Sequence, residues 1–165
     1  MSNFLETIQK DTIQDYILEV RGHAGEMTIE VKAEHIFEVL KTMKEKYAFN
    51  YLTDITATDL YEDGLRFELD YNIVSMSAKQ RLRISCKISE DDPSVDSIVS
   101  LWKSADWFER ECYDMLGVTF NNHPDLRRMF MPEDYEWFPL RKEFPLLGIP
   151  GSIPLPEKDP PKEYN

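Results

Sequence analysis

The chain has 165 residues, and its 19 Lys and Arg against 31 Asp and Glu give a formal net charge of −12. This length indicates about one domain, and the negative charge excludes a nucleic-acid-binding protein, because phosphate contacts need clustered Lys and Arg. Two cysteines, Cys86 and Cys112, are too few for a disulfide framework or a cysteine-ligated cluster.

Hydrophobic patterns predict regular structure over the first 117 residues. Helices are predicted over residues 3–10 and 33–47, and strands over residues 17–21, 27–32, 51–59, 65–71 and 81–88. The alternation is clearest in residues 65–71, where Leu65, Phe67, Leu69 and Tyr71 face one side and Arg66, Glu68 and Asp70 face the other. Such strands are typical of an antiparallel sheet with one face in water and one covered by helices.

Two further helices are predicted after the sheet. The spacing of Val95, Ile98, Val99 and Trp102 predicts a short amphipathic helix. Asp106 and Glu109 then have the spacing of a capping box, and Gly117 is expected to end the second helix in a left-handed conformation. The predicted fold class is α+β, a mainly antiparallel sheet with helices packed on it.

The C-terminal segment differs in composition, because eight of the ten prolines lie between Pro132 and Pro161. Proline excludes both helix and central strand, yet residues 132–165 also carry many large apolar side chains. We interpret this segment as an extended arm, with a reach of about 100 Å at about 3.1 Å per residue. The apolar side chains indicate burial on another protein, with folding back over its own domain as the alternative.

The densest polar cluster lies in residues 109–114 and 123–128. Glu111, Asp114 and His123 are residue types that serve a metal-dependent hydrolase, and a stand-alone enzyme of this kind is one hypothesis. The spacing does not favour it, because His123 lies beyond the predicted helix end at Gly117. The competing interpretation is structural, with Arg110 and Asp114 forming an ion pair one helical turn apart.

The remaining reactive or basic residues also have structural interpretations. Cys112 shares a helix face with Phe108 and Met115, which predicts a buried and unreactive thiol. The basic pairs at residues 127–128 and 141–142 are expected either to contact carboxylates of a partner or to be solvated. No catalytic residue, cofactor site or metal site is predicted, since nucleophile-elbow and phosphate-loop motifs are absent from the sequence.

The first twenty residues lack the basic and apolar regions of a signal peptide. A prokaryotic cytosol is therefore the expected compartment. A soluble adaptor protein remains a further hypothesis beside the hydrolase.

Residues 107–146 resemble the signature region of the 30-kDa-type subunit of respiratory complex I, which is the C-type subunit family of NADH–quinone oxidoreductase. The family pattern E-R-E-x-x-D-hydrophobic-aromatic-G-V/I-x-F-x-x-H-P-D/N-L-R-R is matched at Glu109, Arg110, Glu111, Asp114, Gly117, Val118, Phe120, His123, Pro124, Asp125, Leu126, Arg127 and Arg128. A second element, P-L-R-K-D/E-aromatic-P, is matched at Pro139, Leu140, Arg141, Lys142, Glu143, Phe144 and Pro145. Trp137 and Phe138 replace a frequent Gly-His pair.

The resemblance implies a non-catalytic subunit in the peripheral arm of a proton-translocating NADH–quinone oxidoreductase. Such a subunit supports assembly beside the large quinone-site subunit (the D-type subunit) and other peripheral-arm subunits. FMN, iron–sulfur clusters and quinone are then expected in the assembled complex, and none of them on this chain. The implied location is the cytoplasmic side of the prokaryotic inner membrane, with membrane association only through the complex.

The resemblance also implies a division of the chain. Residues 1–117 form the α+β domain, residues 118–131 the signature loop at the root of the arm, and residues 132–165 the arm that docks on partner subunits. Arg127 and Arg128 are expected to act as ion-pair anchors to those partners.

Overall fold

The computed structural model describes Ile8, residues 11–62 and residues 64–152. Apart from Ile8, the helix predicted over residues 3–10 lies outside the described residues. Within the described ranges, no helix has both the length and the apolar character needed to cross a membrane.

Five strands form the main sheet, two helices accompany it, and two short strands form a separate pair. The sheet strands are β1 (Ile17–His23), β2 (Glu26–Lys32), β3 (Tyr51–Asp59), β4 (Phe67–Ser75) and β5 (Gln80–Ile88). The helices are α1 (Ile36–Glu45) and α2 (Ala105–Leu116), and the short pair is β6 (Ser94–Asp96) with β7 (Thr119–Asn121). Two 3₁₀ turns cover Thr12–Tyr16 and Ala33–His35.

The order of strands in the sheet is β1-β2-β5-β4-β3. Neighbouring strands are antiparallel except for β2 and β5, which are parallel. The chain leaves β2 through α1 and returns to β5 only after the β3–β4 hairpin, and parallel neighbours need such a long connection. The α+β fold with a mainly antiparallel sheet is therefore confirmed, and the antiparallel expectation is wrong for this one pair.

The core lies between the sheet and the helices. Alternate residues of β4 from Phe67 onward are buried, as the alternation predicted, and α1 buries Ile36, Val39, Leu40 and Met43 against the same core. Burial of each such side chain stabilises the folded chain by roughly 1.5–3 kcal/mol. The helix predicted over residues 33–47 is confirmed, with its first turn in 3₁₀ form.

The helix predicted from Val95 to Trp102 is wrong. The four apolar side chains of that pattern are buried, but β6 pairs in parallel with β7. The carbonyl of Ile98 then accepts from the N–H groups of Leu101 at 2.8 Å and Trp102 at 3.0 Å, which closes a single turn. The pattern identified the buried side chains correctly. It gave the wrong secondary structure, because an apolar spacing of three and four does not distinguish a helix from a strand followed by a turn.

Candidate assembly site around the signature helix

The last turn of α2 receives hydrogen bonds from Gly117, from the signature loop (residues 118–131) and from the arm root, which we define as residues 132–144. Every helix end leaves four carbonyls without partners inside the helix. Here the carbonyls of residues 113–116 accept, in order, from the N–H of Gly117 at 2.9 Å, Nη1 of Arg128 at 3.1 Å, the N–H of Leu140 at 3.0 Å and Nε of Arg141 at 2.7 Å. The arginines also place positive charge at the negative end of the helix dipole.

The carboxylate of Asp114 holds the signature loop in place. Its Oδ1 accepts from Nη1 of Arg128 at 2.9 Å. Its Oδ2 accepts from the backbone N–H groups of Met129 at 2.9 Å, Phe130 at 2.6 Å and Met131 at 3.1 Å. Burial opposes ionisation of this carboxyl, but the amides and Arg128 outweigh it and lower the pKa of Asp114 below its ordinary value.

The ion pair expected between Arg110 and Asp114 is not formed. Arg110 is buried and donates from Nε to the carbonyl of Arg127 at 3.2 Å and from Nη2 to that of Arg128 at 3.4 Å. Its guanidinium also lies over the Trp107 ring, 5.1 Å from the centroid. The signature loop lies beside α2, so Arg110 and Asp114 each bind groups of that loop and not each other.

Gly117 allows the arm root to approach the end of α2. Its φ of 79° is left-handed, as predicted for the residue that ends the helix. A Cβ at this position would lie 2.7 Å from the Phe138 ring and 2.8 Å from Nη2 of Arg141. The guanidinium carbons of Arg128 and Arg141 lie 5.0 and 4.7 Å from the Phe138 centroid, a cation–π geometry.

A second attachment joins the arm root to the edge of the sheet, and the sequence did not indicate it. Asp59 at the end of β3 accepts from Arg66 Nε at 2.9 Å and Nη2 at 2.8 Å, and from the N–H of Lys142 at 2.8 Å. Arg66 also pairs with Glu90 and with Glu143. The hydrogen bond from Arg66 lowers the pKa of Asp59 to about 2 despite burial.

The alternation in residues 65–71 had predicted the opposite burial at its first two positions. Arg66 is 5% exposed and Leu65 is 53% exposed. Strand β4 begins only at Phe67, so the residues before it do not follow its alternation.

Glu109 binds residues outside its own helix, so the expected capping box is not formed. The first turn of α2 has Ser104 at its N-cap, without a side-chain hydrogen bond. The Glu109 carboxylate instead accepts from Oγ of Ser97 at 2.6 Å and from the N–H of Ile98 at 2.7 Å. His123 Nε2 lies 3.3 Å from Asp106 Oδ1 and 3.8 Å from Glu109 Oε2.

The predicted site residues thus separate into three groups. Those that join α2, the signature loop and the arm root are Arg110, Asp114, Gly117, His123, Arg128, Leu140 and Arg141, while Glu109 binds the turn after β6 and Lys142 binds Asp59. Arg127 and Asp125 are exposed and pair with each other at 2.9 Å. Glu111 and Pro124 are also exposed, whereas Pro139 and Phe144 are half-buried.

The expectation that Arg127 and Arg128 together anchor a partner stays a prediction, and Arg128 has an ion-pair partner within its own chain. Its side chain is 8% exposed and pairs with Asp114 of its own chain. The same holds for Arg141, which is committed to the Leu116 carbonyl. The sequence identified both as residues that bind acceptors but could not indicate that the acceptors lie in the same chain.

The residues proposed for a metal-dependent hydrolase do not form a ligand set. Within residues 11–62 and 64–152, no group of three or more His, Cys, Asp or Glu side chains could hold a metal ion. Asp114 is engaged by amides and Arg128, while Glu111 lies exposed on the helix. The hydrolase hypothesis is therefore not favoured.

The prediction that Cys112 carries a buried thiol is confirmed. It is 4% exposed, and its thiol donates to the Ile55 carbonyl at 3.7 Å. Burial raises the pKa of Cys112 to about 12, so the reactive thiolate is not formed near neutral pH.

Comparison with known proteins agrees with this architecture. A trypsin-resistant fragment of Nqo5 has a similar structure, with a TM-score of 0.65 and 29% identity over 74% of this chain and 98% of that one. The C-type subunit of the NADH-quinone oxidoreductase of Citrifermentans bemidjiense is 41% identical over 153 residues, which cover 93% of this chain and 91% of that protein. Its counterpart in Geobacter metallireducens is 45% identical over 139 residues, or 84% of this chain and 85% of that protein.

The α+β fold of this chain is thus similar to that of the Nqo5 fragment. Residues 29–149 match the family described as "Respiratory-chain NADH dehydrogenase, 30 Kd subunit". The chain belongs to this family.

Proposed function

We propose that the chain is a structural subunit of NADH–quinone oxidoreductase that presents its arm to neighbouring subunits and takes no part in the chemistry. Family membership makes the chain a subunit of this enzyme complex. The absence of catalytic groups on the chain itself is our inference from the packing, since the buried charged residues Arg110, Asp114 and Arg128 are engaged in holding the signature loop.

Two adjacent leucines carry the proposal. Leu146 and Leu147 are 101% and 98% exposed, and they follow directly after the segment that Asp59 and Arg66 attach to the sheet. Burial of each would contribute roughly 1.5–3 kcal/mol before the entropy of ordering is subtracted. An arm root that is attached to the domain and followed by exposed leucines is the arrangement expected of an anchor that binds a hydrophobic pocket on a partner.

We infer that the signature acts in two layers. The buried residues hold the arm root against α2, and the exposed ones face the partner. The proposed docking surface consists of Trp107, Arg127, Phe130, Leu140, Leu146 and Leu147, all exposed. This arrangement refines the division into a domain of residues 1–117, a signature loop of residues 118–131 and an arm from residue 132 onward.

The partner we propose is the large, D-type quinone-site subunit, together with other peripheral-arm subunits. FMN, iron–sulfur clusters and quinone would then reside on those subunits, and the chain would reach the cytoplasmic side of the inner membrane only through the complex. The support is the resemblance of the signature region, whose matched residues hold the arm root in the conformation described above.

The test is a paired substitution of Leu146 and Leu147 by Asp, expressed in a strain that lacks the native subunit. We expect loss of the chain from the membrane-bound complex and a matching loss of NADH–quinone reductase activity. The matched control is Leu65→Asp, since Leu65 is 53% exposed and lies in the loop before β4. Co-purification and activity at the level of the unmodified chain would contradict the proposal.

A further inference from the structure

Glu109 is a fully buried carboxyl group at the centre of α2. Both of its oxygens accept hydrogen bonds from the turn after β6, Oε2 from Ser97 and Oε1 from Ile98. Both donors are neutral, so these bonds bring no countercharge. A buried carboxylate normally needs a paired cation or takes up a proton.

The one basic side chain near Glu109 among the described residues is His123, with Nε2 at 3.8 Å. Nδ1 of the same ring accepts the backbone N–H of Asp125 at 3.0 Å. A ring nitrogen that accepts a hydrogen bond carries no proton, so the proton of His123 lies on Nε2, which donates to the backbone carbonyl of Asp106 at 3.3 Å. The imidazole in this arrangement offers Glu109 no countercharge. Arg110, next in sequence, donates to the signature loop instead.

The other titratable groups around Glu109 also supply no positive charge. On α2, Oδ1 of Asp106 lies 3.3 Å from the same imidazole nitrogen without a hydrogen bond to it, and its charge is negative. Cys112 lies on the same helix. On β4, Tyr71 is the group that interacts with Glu109. Burial raises the pKa of Cys112 to about 12 and that of Tyr71 well above its ordinary value, so both are neutral at physiological pH.

We propose that Glu109 is a proton-binding site, in which a fully buried carboxyl group without a paired cation takes up one proton from solvent. Uptake converts the carboxylate to a carboxylic acid and changes no other bond. When Glu109 is ionised, its charge attracts the Nε2 proton of His123 across 3.8 Å. When Glu109 is protonated, that attraction is lost and the hydrogen bond to the Asp106 carbonyl remains. Protonation therefore weakens one of the contacts between the signature loop and α2.

The position of this group within its surroundings supports the proposal. Burial raises the pKa of Glu109 to about 7, opposed by the hydrogen bonds from Ser97 and Ile98 and aided by the charge of Asp106. The ordinary value is 4.5. A raised pKa means that the folded chain binds the proton more tightly than the unfolded chain, so this contribution to stability is fully present below pH 4.5 and is lost as the pH rises through about 7.

Infrared spectroscopy of the full chain in D₂O tests the proposal directly. We expect a protonated-carboxyl C=O band that disappears with a midpoint near pH 7, is absent in Glu109→Gln and is retained in Glu111→Gln. The second variant is the matched control, because Glu111 is exposed on the same helix. The absence of such a band, or its persistence in Glu109→Gln, would overturn the proposal.

A second pair of measurements keeps the test decisive if Glu109→Gln does not fold. Ser97→Ala removes a hydrogen bond that favours the ionised carboxylate, so the band midpoint is expected to rise by about one pH unit. Nitrogen NMR of His123 is expected to report one neutral tautomer, protonated on Nε2, across the same range. An unmoved midpoint, or conversion of His123 to imidazolium within that range, would assign the proton elsewhere. None of these readouts involves a partner, so the inference stands or fails independently of the proposed function.

Discussion

The sheet with α1 and the region around the arm root are held together by different forces. In the first, the stabilising groups are apolar side chains such as Leu40, Leu69 and Ile84, each fully buried. In the second, they are charged and backbone groups, with Asp114, Arg128 and Arg141 at the end of α2. The first region therefore folds around its own core, whereas the second region requires the end of an existing helix on which to assemble.

This difference teaches how an apolar, proline-rich segment is attached to a domain. Proline removes backbone donors and prevents regular structure, so the arm root uses the donors that remain, such as Leu140 N–H and Lys142 N–H. The first binds the carbonyl of Met115, which has no partner within α2, and the second binds the Asp59 carboxylate beside Arg66. The segment is thus fixed at a few points and needs no core of its own.

The largest effect is expected in the apolar region. Leu40→Ala should lower the global free energy of unfolding by about 4 kcal/mol, because it removes a buried side chain and leaves a cavity. Chemical denaturation followed by circular dichroism measures this loss. Lys41→Ala, one residue further on the exposed face of α1, should change stability by less than about 0.5 kcal/mol, and a similar loss in both variants would contradict the account.

Asp114→Asn should separate the two regions. It removes the charge that three amides and Arg128 share, at a cost of about 3 kcal/mol. We expect the loss to appear first as trypsin cleavage after Arg127 and Arg128 while the sheet remains folded. Asp125→Asn is the control, since Asp125 is exposed and its carboxylate pairs with Arg127 of the same loop. Equal protease sensitivity in both variants would argue against the role of Asp114.

The hydrogen bonds at Asp59 should make the stability of the domain depend on pH in the acid range. Its pKa is about 2 in the folded chain against an ordinary 3.8. A lowered pKa contributes stability above pH 3.8, which is lost as the pH falls through about 2. The contribution is roughly 2 kcal/mol, and Asp59→Asn should flatten the stability curve over this range. An unchanged slope in that variant would exclude the attachment.

Gly117→Ala should have the smallest effect, about 1–2 kcal/mol, from the left-handed backbone and the contact with Phe138. A double-mutant cycle separates the two causes. In a Phe138→Ala background the steric part due to the ring should disappear, leaving about 1 kcal/mol for the backbone and the contact with Nη2 of Arg141. An equal cost in both backgrounds would mean that Phe138 does not pack on Gly117.

The sequence predicted the apolar region well, because alternating and helical spacings follow directly from which side chains are buried. It failed at Arg66 and at Val95–Trp102 for a common reason. In both places a tertiary contact, with Asp59 or with β7, overrides the local pattern.

At the site, the sequence identified most of the residues but not their partners. Asp114 and Arg128 were singled out as charged groups, but the choice between a neighbouring turn, another protein and a distant part of the same chain depends on distances that spacing does not contain. Phe138 and Tyr135 could not be assigned, since an aromatic residue in a proline-rich segment has no period from which its burial could be predicted.

The central claim is that the chain itself holds its arm root before any partner binds. Hydrogen–deuterium exchange of the isolated full chain tests it most directly, at the amides of Met129, Phe130, Met131, Leu140 and Lys142. We predict slow exchange at these five, which are hydrogen-bonded to α2 or Asp59, beside fast exchange at the exposed Leu146 and Leu147. Fast exchange at all seven, with protection only after a partner binds, would contradict the account.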